Sequence, residues 1–171
     1  MNQQYNSASC FACGLENASG LRLSFNDNGV DQVFCRFVIG PQHAGYPGMA
    51  HGGIVAAILD EVAGRTVMIG HPKRFFVTAR MDVRFRKPVP VGAPLVATGW
   101  LLTRRVNRTR AHAEIAGQEQ GVLAEADILF KDMPLRMLEA SKAESQFGWK
   151  LYAGQDRATA LHTPKYGPLP R

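Results

Sequence analysis

One stretch limits the fold more than any other. From His51 onward, Ile54, Val55, Ile58, Leu59, Val62 and Val67 recur at helical spacing, with Ala56, Ala57 and Ala63 between them. A helix apolar over so much of its circumference has to be covered by other elements on most sides. Gly70-His71-Pro72 supplies its end. What surrounds this helix in the chain is strand-like, so the covering layer is a sheet.

Before the helix, residues 1–20 are rich in Asn, Ser, Gly and Cys and read as an irregular segment. Residues 21–25 alternate through Leu21, Leu23 and Phe25 and are expected to be a short strand. The turn Asn26-Asp27-Asn28-Gly29 then leads to a second strand over 32–39. Residues 40–48, with two prolines and three glycines, form a loop.

After the helix, residues 77–86 alternate without a break. Val77, Ala79, Met81, Val83 and Phe85 take one parity; Thr78, Arg80, Asp82, Arg84 and Arg86 take the other. That pattern describes a strand with one apolar and one polar face. Strand-like runs at 95–104, 109–116 and 121–131 follow, joined by connections short enough for antiparallel hairpins. The order is therefore two strands, one buried helix and four antiparallel strands, an α+β chain with the helix laid against a single sheet. A further helix is expected over 134–150, and the last twenty residues, with Pro164, Pro168 and Pro170, read as an extended tail. The expected organisation is an N-terminal segment (1–20), one α+β domain (21–133) and a C-terminal extension (134–171).

Apolar residues make up 46% and charged residues 20% of the 171, the balance of a soluble globular chain. No run approaches the roughly 18 apolar residues of a membrane span. The opening Met1-Asn2-Gln3-Gln4-Tyr5-Asn6-Ser7 lacks the basic and apolar regions of a secretory signal. Three cysteines in a chain this long do not suggest a disulfide framework. A cytoplasmic location is the expectation. The net charge of +6 favours an anionic partner.

The chemistry concentrates in Ala50-His51-Gly52-Gly53 and Asp60-Glu61. Two glycines open the buried helix, placing unencumbered backbone N–H groups at its positive end, where they suit a developing oxyanion. Asp60 lies about two turns further on. A carboxylate on an apolar helix is costly unless paired or used, although acidic residues also emerge on the polar edges of ordinary helices.

His51-Gly52-Gly53 followed by Asp60 resembles the hotdog-fold thioesterase superfamily, in particular its PaaI-like and 4-hydroxybenzoyl-CoA thioesterase-like branch. Cys10-Phe11-Ala12-Cys13-Gly14 with Asn17, Gly20 and Leu21 is similar to an opening found in that branch. Residues 77–92, ending Arg86-Lys87-Pro88-Val89-Pro90-Val91-Gly92, are similar to its first long strand. The resemblance covers about residues 10–131. It implies acyl-CoA thioester hydrolysis to free acid and CoA, with no cofactor and no metal. It also implies the hotdog fold, one long central helix wrapped by a curved antiparallel sheet of about six strands, in a homodimer or homotetramer whose active sites lie between subunits. Asp60 matches the family's catalytic carboxylate, acting as general base or as nucleophile. Gly52 matches the glycine whose N–H polarises the thioester carbonyl, and Gly53 sits beside it at the substrate. His51 shapes the turn and is a further candidate of the catalytic site, as a contact for the acyl group, with a purely structural role as the alternative. Thr78 falls where some relatives place a Ser or Thr near the attacking water, although its parity puts it on the polar face of its strand. Some relatives carry an Asn or Gln shortly before the His-Gly-Gly turn; here Gly45-Tyr46-Pro47-Gly48-Met49-Ala50 stands there, with Gln42 and His43 as substitutes slightly earlier.

Positive charge gathers at Arg80, Arg84, Arg86 and Lys87 and again at Arg104, Arg105, Arg108 and Arg110. The second set brackets a hairpin turn and, for a CoA ester, is the candidate for the phosphates. The alternative for both sets is a solvated or subunit-packed sheet surface. No recognition helix or interleaved aromatic motif accompanies them, so nucleic acid is not the expected partner. Cys10 and Cys13 have metal-ligand spacing, with His43 or Cys35 as possible further ligands, or the spacing of a redox pair. A lone C-x-x-C is read first as a packed local turn. A hotdog protein that binds acyl-CoA without hydrolysing it, as a sensor or carrier, is the competing function.

Overall fold

The computed structural model describes residues 1–133 and 148–152. Its elements in chain order are β1 (Asn2–Gln3), β2 (Asn26–Asp27), β3 (Gln32–Val38), a 3-10 turn (Pro41–His43), β4 (Ala44–Tyr46), β5 (Met49–Ala50), α1 (Gly52–Val67), β6 (Phe76–Phe85), β7 (Pro94–Arg105), β8 (Arg108–Gly117) and β9 (Gly121–Asp132). Seven strands form one antiparallel sheet in the order β1-β2-β3-β7-β8-β9-β6, and β4 and β5 form a small hairpin in front of the helix. The helix lies along this sheet, as the hotdog architecture requires.

The apolar stripe of α1 is used as the periodicity predicts. Val55, Ile58, Leu59, Val62, Ala63 and Val67 are buried against Val33, Leu95, Ala97, Ala113, Ile115, Ala126, Ile128 and Phe130 of the sheet. Small residues set the closeness of this packing. A Cβ added to Gly99 of β7 would lie 2.6 Å from the Val62 carbonyl oxygen, so only glycine lets the helix backbone approach the strand there. On the other flank, Gly64 of α1 makes room for Phe76, whose ring meets Phe130 edge-on at 4.9 Å.

Three expectations need correction. Residues 21–25 are not a strand. Leu23 and Phe25 are buried as their alternation suggests, but Arg22 has φ 53° and the backbone bonds to the N-terminal segment instead, through Leu21 N–H to Phe11 O and Leu23 N–H to Ala12 O. The strand is Asn26–Asp27 and the turn falls two residues later, over 28–31, with Asn28 Oδ1 accepting from the N–H groups of Val30, Asp31 and Gln32. The sheet has seven strands, in line with the expected number of about six, and Asn2–Gln3 of the N-terminal segment supplies the additional one by pairing with β2. The 40–48 loop holds the 3-10 turn and β4. The expected helix over 134–150 lies almost wholly outside the described residues, as does the tail beyond Tyr152; Lys150 makes a backbone bridge to Asn6.

The third correction concerns β6. Its pairing with β9 runs Thr78 against Phe130 and then Arg80 against Leu129, so Ala79 is an extra residue in a β-bulge. A bulge shifts the parity of everything before it. Phe76 and Thr78 therefore share the helix-facing side with Met81, Val83 and Phe85, while Arg80, Asp82 and Arg84 take the outer face.

Candidate active site

The N-terminus of α1 is built by residues that precede it. His51 is the N-cap in extended conformation (φ −64°, ψ 136°), and its Nδ1 accepts the N–H of Gly53 at 3.0 Å. Its own N–H donates to the His43 carbonyl at 2.9 Å, and its carbonyl accepts from Ile54 and Val55. Gly45 packs on this turn, since a Cβ there would lie 3.1 Å from His51 Cα. The result is a rigid end in which Gly53 N–H is already spent. Gly52 is exposed and no hydrogen bond joins its N–H to another of the described residues. It is the free donor at the positive pole of a 16-residue helix. The Phe85 ring, at the far end of β6, stands 3.6 Å from where a Gly52 Cβ would be.

Asp60 is half-buried, and its Oδ1 accepts the Thr78 hydroxyl at 2.7 Å. The bulge at Ala79 is what aims Thr78 at the helix, so the parity of the sequence misplaces a residue that the fold puts beside the carboxylate. Burial raises the Asp60 pKa above its ordinary value; the Thr78 hydrogen bond pulls it back down, and neighbouring Glu61 adds to the rise. A carboxyl group whose pKa is raised by burial is a better proton acceptor than an ordinary aspartate.

Other candidates lie elsewhere. Gln42 is exposed and His43 is half-buried, tied to the turn through its carbonyl. Arg104 donates to the carbonyls of Thr66 and Val67 at 3.2 Å each, capping the opposite end of α1, roughly 22 Å of helix from Gly52. Arg105 and Arg108 face each other across the two-residue turn Val106-Asn107 and are exposed. Arg84 and Arg86 pair with Glu125, Arg80 with Asp82, and Lys87 reaches the Gln120 carbonyl, so the first basic set is engaged on the outer face of the sheet. Sequence reasoning passed over Arg65, which is buried among Glu61, the Tyr5 carbonyl and the rings of Phe25 and Trp149. The i,i+4 spacing of Glu61 and Arg65 was the available signal.

Residues 47–124 match the model of the thioesterase superfamily. That match covers a little under half of the chain, and the helix-on-sheet arrangement is that of the hotdog fold. It is 29% identical over 100 residues to the rat acyl-coenzyme A thioesterase THEM4, covering 58% of this chain and 42% of that one. The mouse acyl-coenzyme A thioesterase THEM5 is 37% identical over 59 residues, 34% of this chain and 23% of that one. The chain thus spans less than half the length of these curated relatives. Among solved structures, a thioesterase superfamily protein superposes with TM-score 0.63 at 26% identity, over 71% of this chain and 62% of that one. A Bacillus halodurans protein crystallised with CoA gives TM-score 0.59 at 23% identity, over 68% and 78% of the two chains, a likeness of fold.

Proposed function

We propose that this protein hydrolyses an acyl-CoA thioester to a free acid and CoA, at a site shared between two copies of the chain. The observation that carries the reading is the Thr78–Asp60 hydrogen bond of 2.7 Å, which holds a desolvated carboxylate on the helix whose head offers a free Gly52 N–H. Asp60 and Gly52 are eight residues apart, about 12 Å of helix rise, too far for one thioester carbon to meet both in the same protomer. β6 resolves this. It is the last strand of the sheet, its outer edge unpaired among the described residues, with Phe85 57% exposed. Thr78 and Asp60 mark one end of this strand; Phe85 and Gly52 mark the other. Antiparallel pairing of β6 with a second copy, about a two-fold axis near its middle, brings the Asp60 end of one chain to the Gly52 end of the other.

In that site the Gly52 N–H of one copy polarises the thioester carbonyl. Asp60 of the other takes a proton from water as its oxygen bonds to the carbonyl carbon. The tetrahedral oxyanion, held by the N–H, then collapses, breaks the C–S bond and releases CoA thiolate, which acquires a proton. In the nucleophilic variant the Asp60 carboxylate itself attacks and water hydrolyses the resulting anhydride. Single-turnover reaction in labelled water separates the two, since only the anhydride route puts label into the Asp60 carboxylate. Arg105 and Arg108 at the exposed hairpin tip are the proposed contacts for CoA phosphates, with Gly53 and His43 lining the acyl approach. Asp60→Asn is expected to lower kcat on a panel of CoA esters by at least about 100-fold; unchanged turnover removes Asp60 from this role.

A second reading, acyl-CoA binding without hydrolysis, is favoured by one feature: residues 45–50 offer no Asn or Gln to position water. CoA-ester binding with no turnover on any ester of the panel selects it.

A further inference from the structure

The Cys10–Cys13 turn lies outside the proposed catalytic machinery, and its surroundings are built with unusual care. Gly14 N–H donates to the Cys10 carbonyl at 2.9 Å, and a Cβ on Gly14 would lie 2.2 Å from that oxygen, so only glycine closes the turn. The Cys10 sulfur accepts the N–H of Cys13 at 3.5 Å. Asn6 donates to the Cys13 carbonyl at 2.8 Å, and Asn17 to the carbonyls of Ser9 and Cys10. The two sulfurs lie close together. Facing them is Glu61 of α1, brought there by the fold rather than by sequence proximity. One donor atom from each of Cys10, Cys13 and Glu61 lies within 4.8 Å of the other two.

We infer that Cys10, Cys13 and Glu61 form a binding site for a thiophilic divalent cation of the zinc class, with solvent completing a tetrahedron. In the sequence a lone C-x-x-C points first to packing, because a structural zinc site wants four ligands in recognisable pairs; the fold adds Glu61 as a third. Donor atoms on a tetrahedral zinc sit about 3.5–3.8 Å apart, so closing the three from their present separation takes a contraction of order 1 Å, within side-chain rotation. Glu61 Oε1 already accepts Arg65 Nε at 2.9 Å, leaving its second oxygen for the metal. The nearby guanidinium would repel a bare cation, but the charge count removes that objection. Two thiols, one carboxylate and Arg65 sum to zero; two thiolates, one carboxylate, Arg65 and a divalent ion also sum to zero. As the ion binds, each thiol gives its proton to solvent and each sulfur donates a pair to the metal; no electron is transferred. Cys10 is half-buried and the Glu61 side chain 22% exposed, so ion and water have a way in. The bound ion would pin the N-terminal segment to the turn of α1 that carries Asp60.

The test reads metal, not turnover, so its outcome is separate from that of the hydrolase reading. The full chain, with thiols kept reduced and stripped by a chelator, is titrated with zinc against a chromophoric competitor. The expected result is one zinc per chain with about two protons released. Cobalt in place of zinc should give a thiolate-to-metal charge-transfer band in the near ultraviolet. Cys10→Ser with Cys13→Ala, checked for a native circular-dichroism spectrum, should abolish uptake and band. Glu61→Gln, which keeps an acceptor for Arg65, should weaken binding at least about tenfold while retaining the band. Zinc uptake by the reduced wild type no better than by the double-cysteine variant overturns the inference.

Discussion

Asp60 sits where burial works against its charge, and Thr78 is what makes the charge tolerable. Because the folded pKa is raised, the folded state holds a proton more firmly than the unfolded chain does. Stability from this group is therefore lost as pH rises from the ordinary Asp value of 3.8 through the folded pKa. Asp60→Asn removes that penalty. Its Tm should match wild type in acid and exceed it at neutral pH, the reverse of the activity loss, as a thermal-melt series across pH would show. Removing the hydroxyl acts in the other direction. Thr78→Val takes away the interaction that lowers the pKa, so the acid limb of the kcat profile should move to higher pH, with kcat at its plateau reduced about tenfold or more. A profile unmoved by the substitution would uncouple Thr78 from Asp60. At this scale the sequence showed Asp60 and the glycines, because carboxylate and glycine on an apolar helix violate its pattern. It hid Thr78, because one extra residue at Ala79 reverses strand parity and leaves no mark in the alternation.

At the scale of elements, α1 was legible because its apolar periodicity leaves no surface reading, and β7, β8 and β9 because their alternation is clean. The 21–25 segment was not. Its alternating burial is genuine, but its backbone partner is the irregular N-terminal segment, and alternation reports which side chains are buried rather than what the backbone bonds to. Close packing of helix on sheet rests on Gly99. Gly99→Ala sets a Cβ 2.6 Å from the Val62 carbonyl oxygen, so the helix must shift. The expected cost is about 1–3 kcal/mol in urea unfolding; a cost near zero would mean the helix moves freely on β7. Arg104 makes the complementary contact at the other end of the helix, and its guanidinium spans two carbonyls there. Arg104→Ala should cost stability, about 0.5–1.5 kcal/mol, before it costs CoA affinity. Affinity lost with stability intact would return Arg104 to the substrate.

For the whole molecule, the open edge of β6 matters most. A ten-residue edge strand with Met81 and Val83 half-buried and Phe85 exposed is a surface that invites pairing, and no feature of the alternating sequence distinguishes an edge from an interior strand. Pairing two copies there covers the edge and also closes the 12 Å gap, roughly, between Gly52 and Asp60. In the proposed dimer each site takes its N–H from one chain and its carboxylate from the other. Gly52→Pro removes the N–H at the first helical position, where proline is tolerated and the extended His51 before it suits one. Each of Gly52→Pro and Asp60→Asn alone should be inactive. Unfolded together and refolded as a mixture, they should recover about a quarter of wild-type turnover, because half the dimers are mixed and each mixed dimer has one intact site. Recovery to that level supports the shared site. No recovery, with mixed dimers confirmed by native mass spectrometry, contradicts it.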